Sequence, residues 1–176
     1  MTLTFHPDGR ILHNGTEVAS PKMSDKFLLA NNEGTGANGD IIDWQRPSIT
    51  NALEGSIGEN MSVSSGIFTF PSTGYYLILG QFSILFQGTG DQAVNITLKT
   101  THDNSTYTTY ANSWTGDSEG SNQYMMASLN TTLKVTDTSN QKAKFVTSSF
   151  ANTTILYAGS AQLWTFVEFV KLGSIW

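Results

Sequence analysis

The sequence predicts an all-β protein, an antiparallel jelly-roll sandwich of two sheets preceded by a short N-terminal β-hairpin arm. Three observations carry this expectation. Apolar residues recur at every second position in short segments, as in Val94, Ile96 and Leu98, and polar turns separate the segments. Only 13% of residues are charged while 39% are hydrophobic, and Ser, Thr, Asn and Gly dominate the rest; long amphipathic helices need more Glu, Lys and Arg than this. There is no cysteine, so stability must come from packing, and 176 residues supply one sizeable core rather than two.

The elements follow in chain order. Leu3–Phe5 runs into the turn tripeptide Pro7-Asp8-Gly9. Arg10–His13 then meets Asn14-Gly15, a strong two-residue hairpin signal, and Thr16–Ala19 returns. Ser20-Pro21 breaks the pattern, which makes residues 1–24 an arm and linker with Leu3, Phe5, Ile11 and Val18 as its apolar side chains. So small an arm holds no core of its own; it either packs on the main domain or docks into a larger assembly. Residues 25–176 form the head. Phe27–Ala30 and Asp40–Trp44 flank a glycine-rich loop, and Gly66–Phe70 leads through Pro71 and Gly74 into Tyr75–Phe86. Val94–Lys99 alternates as a half-buried strand, and Thr101–Gln123 is a long polar stretch. Met125, Ala127, Leu129, Leu133 and Val135 keep one parity, Ala143–Phe150 and Ile155–Tyr157 follow, and Leu163–Leu172 closes the domain. Strands of this length with turns between them are the layout of a jelly roll.

Two strands are apolar on both faces. In Tyr75–Phe86 one parity holds Tyr76, Ile78, Phe82, Ile84 and Phe86, while the other holds Tyr75, Leu77, Leu79 and Leu85. In Leu163–Leu172 Trp164, Phe166, Val170 and Leu172 share a parity with Glu168, opposite Leu163, Val167 and Phe169. An antiparallel sandwich strand ordinarily wets one face, so something covers the second: another subunit, or the arm and loops. The candidate subunit contact is Tyr75, Leu77, Leu79, Trp164, Phe166, Glu168 and Val170. A carboxylate among such residues needs a donor, a cation or trapped water. The alternatives are converging carboxylates at a subunit axis, or a bulge that turns Glu168 to solvent.

Gly66–Phe82, GIFTFPSTGYYLILGQF, resembles the complement-type globular head and tumour-necrosis-factor (TNF)-like jelly-roll family. A strand of that family reads G-x-F-T-x-P-x-x-G-x-Y, and Gly66, Phe68, Thr69, Pro71, Gly74 and Tyr76 occupy those places. Gly39–Trp44 (GDIIDW) is similar to an earlier family strand, and Thr165-Phe166 with Phe169 to the closing T-F-x-x-F, here followed by Val170 and Leu172. The segments keep the family's order over Phe27–Leu172. Glu168 stands where the family usually has Gly, its Gly-Asp is missing around Val135–Asp137, and no collagen-like stalk precedes the head. The resemblance implies two packed five-stranded sheets and a homotrimer, without naming a ligand.

Function classes narrow next. A net charge of −5 and scattered basic residues argue against nucleic acid, and no run is long and apolar enough for membrane insertion. Residues 1–10 lack the apolar stretch of a signal peptide, so synthesis in a cytoplasm without export is expected. That profile is similar to bacteriophage fibre heads and capsid accessory proteins. The expectation is a non-enzymatic virion protein whose partners are itself, as a homotrimer, and other capsid or tail proteins. The alternative is a recognition head for a host glycan or receptor.

No motif supplies chemistry. Gly34–Gly39 matches G-x-G-x-x-G but leads into a strand pattern, where a dinucleotide site needs a helix. Gly116–Gly120 (GDSEG) lacks a triad context for His6, His13 or His102, so no catalytic residue and no cofactor is expected. Asp103, Asn104, Asp117 and Glu119 are oxygen ligands suited to Ca²⁺ but lack EF-hand spacing. Tyr107, Tyr110 and Trp114 stand among polar residues, where aromatics stack on sugars, meet a protein partner or pack against a neighbouring strand. Six N-x-S/T sequons, at Asn14, Asn60, Asn95, Asn104, Asn130 and Asn152, are chance products of an Asn-, Ser- and Thr-rich chain.

Overall fold

The structure, a computed structural model, describes residues 23–33, 38–47, 56–87, 93–116, 122–151, 153–159 and 163–173, and the backbone of three strands within residues 3–19. Pro7-Asp8-Gly9, Asn14-Gly15, Asp117 and Glu119 lie outside the described residues. Among those described there is no helix. The strands are β1 (Leu3–Phe5), β2 (Ile11–His13), β3 (Thr16–Ala19), β4 (Met23–Leu29), β5 (Gly39–Asp40), β6 (Trp44–Gln45), β7 (Ser56–Gly58) and β8 (Ser62–Ser64). There follow β9 (Ile67–Thr69), β10 (Gly74–Phe86), β11 (Val94–Thr101), β12 (Thr108–Thr115), β13 (Gln123–Val135), β14 (Lys142–Ser148), β15 (Thr154–Leu156) and β16 (Phe166–Gly173).

Two antiparallel sheets form the jelly roll, each built on a five-strand path. The first runs β13-β10-β16-β4-β6, with β15 beside β10 and β7 beside β4; the second runs β12-β11-β14-β9-β8, with β5 beside β14. Their inner faces meet in an aromatic core. Phe68 stacks with Phe27, Trp44, Phe145 and Phe169 at centroid distances of 4.9–5.9 Å, and Phe82, Phe70 and Tyr76 extend the cluster. The parity read in β10 and β13 is the one that fills this core: Tyr76, Ile78, Phe82, Ile84, Ala127, Leu129, Leu133 and Val135 are buried.

Several TNF-like motif positions have a local reason. Ser65 (φ 48°) and Gly66 (φ 77°) form the two-residue loop that closes β8 on β9, with Ser64 paired to Ile67. Positive φ at both loop positions matches the twist of the flanking strands. A Cβ on Gly66 would also strike the Ile41 carbonyl oxygen. At Gly74 a Cβ would lie 2.5 Å from the Gly173 carbonyl oxygen, so β16 approaches β10 closely only because this residue is glycine.

Elsewhere the fold departs from the expectations. Asp40–Trp44 is not one strand: Gly39–Asp40 pairs with β14 in the second sheet and Trp44–Gln45 with β4 in the first. Ile41 and Trp44 are both buried three residues apart, which period two does not allow, and Trp44 Nε1 donates to the Ile41 carbonyl at 2.9 Å across the corner. Thr101–Gln123 is not a continuous loop, because it contains β12, an edge strand. The arm contains the expected hairpin, β2 paired with β3, and β1 adds a third strand beside β2 in its backbone pairing. β4 opens at Met23, a core residue, so the jelly roll begins inside the segment read as linker. In β11 Asn95 and Thr97 are buried along with Val94, Ile96 and Leu98, because β12 and β14 flank their side of the strand as well.

A buried ion pair ties the corner to the sheet. Asp25, fully buried on β4, accepts two hydrogen bonds from Arg46, at 2.9 and 2.7 Å, and one from the Met61 amide at 2.8 Å. The pair pushes Arg46 above its ordinary pKa, and the guanidinium lies 4.8 Å from the Phe27 ring centroid.

Candidate functional site

The outer face of the first sheet is built by parity and register. With Tyr76 and Ile78 committed to the core, Tyr75, Leu77 and Leu79 point the other way. On β16 Val167 and Phe169 are buried, which turns Phe166, Glu168 and Val170 outward. Pairing sets these residues in rows. Ile57, Ser24, Val170, Leu77 and Thr132 form one; Lys26, Glu168, Leu79 and Asn130 form the next; Leu28, Phe166, Gln81 and Ser128 form a third. Leu77, Leu79, Val170 and Phe166 thus surround a central Lys26–Glu168 pair, and Thr132, Asn130 and Ser128 of β13 supply a polar border.

Glu168 sits in the middle of this face and is half-buried. Ser24 Oγ donates to its Oε1 at 2.6 Å, and Lys26 Nζ lies 3.4 Å from its Oε2. Lys26 also stands 5.6 Å from the Phe166 ring centroid. The carboxylate therefore finds a donor and a cation in its own chain, on the adjacent strand β4, and the face is neutral there.

Trp164 precedes β16 rather than belonging to it. It stacks with Tyr124 at 5.7 Å and Tyr157 at 5.5 Å, and those two rings lie 5.4 Å apart. Partial desolvation beside these rings, and then the Tyr157 hydroxyl, push the phenol of the exposed Tyr124 above its usual pKa. Tyr124 pairs with Leu85 and Met126 with Ser83, so the triad continues the outer face beyond the Phe166 row. The sequence reading missed Tyr124, Met126 and Tyr157; their strand parity was the signal that could have found the first two. Thr165 fixes the loop that carries the triad. Its Oγ1 donates to the Tyr157 carbonyl at 2.7 Å and accepts from the Ser83 amide at 3.0 Å, while Ser83 Oγ donates to the Trp164 carbonyl at 2.9 Å.

The three aromatics read as one ligand loop are not gathered together. Tyr107 lies half-buried with Lys144 Nζ 4.4 Å from its ring centroid, and burial raises its pKa. Tyr110 occupies a bulge in β12, and its hydroxyl donates to the Thr132 carbonyl at 2.6 Å, joining the edges of the two sheets. Trp114 stands apart on the outer face of the second sheet and is exposed. Asp103 serves its own turn: Oδ1 accepts from the Thr106 and Ser105 amides at 2.7 and 2.9 Å and from Thr101 Oγ1 at 2.7 Å. These bonds, that from the Thr106 amide first, hold its carboxyl well below the usual range. Among the described residues no three His, Asp or Glu side chains gather as a metal site. Leu3, Phe5, Ile11 and Val18 lie on β1, β2 and β3, where only the backbone pairing is described.

Comparison by sequence finds no matching family model and no matching curated protein. Solved structures do match. The Eiger TNF structure from S. frugiperda superposes with a TM-score of 0.64 over 89% of this chain and 96% of that one, at 14% identity. Murine APRIL at pH 8.0 superposes with a TM-score of 0.59 over 85% and 98%, at 14% identity, and at pH 5.0 with 0.60 and 12% identity over the same shares. Strand order, packing and these superpositions agree: the chain folds as a TNF-like jelly roll.

Proposed function

We propose that the chain is a non-enzymatic assembly module that works as a homotrimer, joined through the outer face of the first sheet. The observation that carries this reading is the row structure of that face. Leu77, Leu79, Phe166 and Val170 form an apolar patch around Glu168 on β10 and β16, which is not the solvated outer face expected of an antiparallel sandwich. The occupant is a second copy of the chain. The TNF-like fold supports that choice, and so does the internal neutralisation of Glu168 by Lys26, which lets identical faces approach without a charge penalty. The test is light scattering on the purified chain at micromolar concentration. A mass three times that of the 19.2 kDa subunit supports the reading, and the mass of one subunit ends it.

The trimer's setting is a virion, as a fibre head or capsid accessory anchored through residues 1–24. The cysteine-free, Ser-, Thr- and Asn-rich composition and a separate three-stranded arm sheet ahead of the jelly roll support this. The arm is tested by deleting residues 1–20 and scoring incorporation into particles against trimer mass. The expected result is an intact trimer that no longer incorporates; an aggregated or unfolded product would make the arm part of the head.

A further inference from the structure

The second sheet turns its outer face away from the proposed subunit contact, and one end of it combines an exposed indole with a buried amide. Register places Trp114 and Ser148 on either side of Asn95, and Asn112 and Val146 on either side of Thr97. These residues share the outer side because Val94, Ile96 and Leu98 fill the core. Trp114 is 58% exposed, yet Asn95 beside it is only 3% exposed. Directly opposed residues stand about 4.5–5.5 Å apart at Cβ, so the indole shelters Asn95 while keeping much of its own surface open. Thr97 Oγ1 donates to Asn95 Oδ1, which orients the carboxamide beside the indole.

We propose that Trp114, Asn95, Asn112 and Ser148 form a binding site for a neutral hexopyranose unit of a glycan. A sugar ring offers an apolar C–H face to an indole and hydroxyls to amides and Ser Oγ at its rim. A protein-docking patch would need contiguous apolar surface, and exposed Trp114 instead has Asn95, Asn112 and Ser148 around it. The lysines of this face, Lys99 and Lys144, stand two positions further along their strands than Thr97 and Val146, and Lys144 is paired with Asp40 at 2.8 Å. Among the described residues, the side chains around the indole, Asn95, Asn112 and Ser148, carry no cation to attract an anion, which favours a neutral sugar over an anionic one. The site lies on the sheet opposite the assembly face, so it holds for a monomer or a trimer.

The experiment titrates the full chain with maltohexaose, cellohexaose and chitohexaose, with sialyllactose as an anionic comparison, using calorimetry and saturation-transfer NMR. At least one neutral probe is expected to bind at about 1 mM or tighter, with the strongest saturation on ring C–H protons. Trp114→Ala should weaken that binding roughly tenfold or more and Trp114→Phe by less, with melting temperature and oligomeric mass unchanged. The proposal is overturned if no neutral probe binds at about 10 mM, if Trp114→Ala leaves affinity intact, or if sialyllactose binds more tightly than every neutral probe.

Discussion

Three carboxylates in this protein meet three different fates, and each fate predicts a mutant. Asp25 is fully buried and neutralised by Arg46, whose own side chain is 40% exposed. Arg46→Met strands a buried charge and should cost about 3–5 kcal/mol. Asp25→Asn keeps a hydrogen-bond acceptor and frees a cation that can reach water, so it should cost less. Urea midpoints at pH 7 check the order, and equal losses would mean that the charge itself is not what matters. Glu33 is the opposite case. Burial, and then the nearby Asp43, push its carboxyl above the ordinary value against the lowering effect of the Ile42 amide. A folded pKa above the unfolded one means the ionised group opposes folding at neutral pH, and that cost fades as pH falls through the folded value toward the unfolded one. Glu33→Gln should therefore raise the melting temperature at pH 7, with the gain shrinking in acid; a gain that persists unchanged at low pH would refute the electrostatic origin. Glu168 has its cation in Lys26, which changes the expectation drawn from converging carboxylates. Glu168→Gln leaves Lys26 unpaired on the proposed contact face and should weaken assembly, read as a rise in the subunit concentration at which light scattering shows half dissociation.

At the scale of elements, closure of the sandwich depends on loops whose residues are fixed by sterics rather than by hydrophobicity. The β8–β9 loop needs positive φ at two successive residues and no Cβ at the second, where the Ile41 carbonyl crosses. Gly66→Ala should cost more than the roughly 1 kcal/mol of an unstrained glycine replacement, while Ser65→Asn should be neutral or slightly stabilising because Asn tolerates that conformation. Thermal melts of the two variants distinguish a backbone requirement from general sensitivity of the hairpin. The Thr165 bonds act similarly at the other end. They bind the loop before β16 to Tyr157 and Ser83, and so hold Trp164 against Tyr124. One hydroxyl thus sets the outline of the outer face by joining segments that no hydrophobic pattern connects.

For the whole molecule the decisive quantity is what covers the outer face of the first sheet. Leu77 lies at its centre, opposite Val170 on one side and Thr132 on the other, and it points away from the core. Leu77→Asp should leave the far-UV circular dichroism of the jelly roll intact while reducing the mass in light scattering to one subunit. A charge there is tolerated in water and costly in a contact. A Leu77→Asp protein that keeps the parent's mass would move the contact elsewhere on the molecule. The Trp114 end of the second sheet should be indifferent to this substitution, since the two faces point in opposite directions from one core.

The sequence by itself determined the parts that depend on the chain's own geometry. Side chains alternate along an extended strand whatever lies beside it, so the two faces of β10, β13 and β16 were legible as soon as their apolar parity was read. The TNF-like strand with Gly66, Gly74 and Tyr76 was legible for a related reason, because turns and close approaches demand particular residues locally. Only the tertiary structure decided which strands are neighbours. Glu168 meets Ser24 across 144 residues, and no spacing rule reaches that far. The Gly39–Gln45 segment changes sheet within a few residues because Ile41 and Trp44 both reach the one shared core, and that breaks the period-two signal. β12 hid in a polar stretch because an edge strand turns only Ala111 and small polar residues inward and so carries no hydrophobic period. Trp114 and Asn95 became a pair for the same reason that Lys26 and Glu168 did: register between strands is set by the packing of the whole sandwich, not by either strand alone.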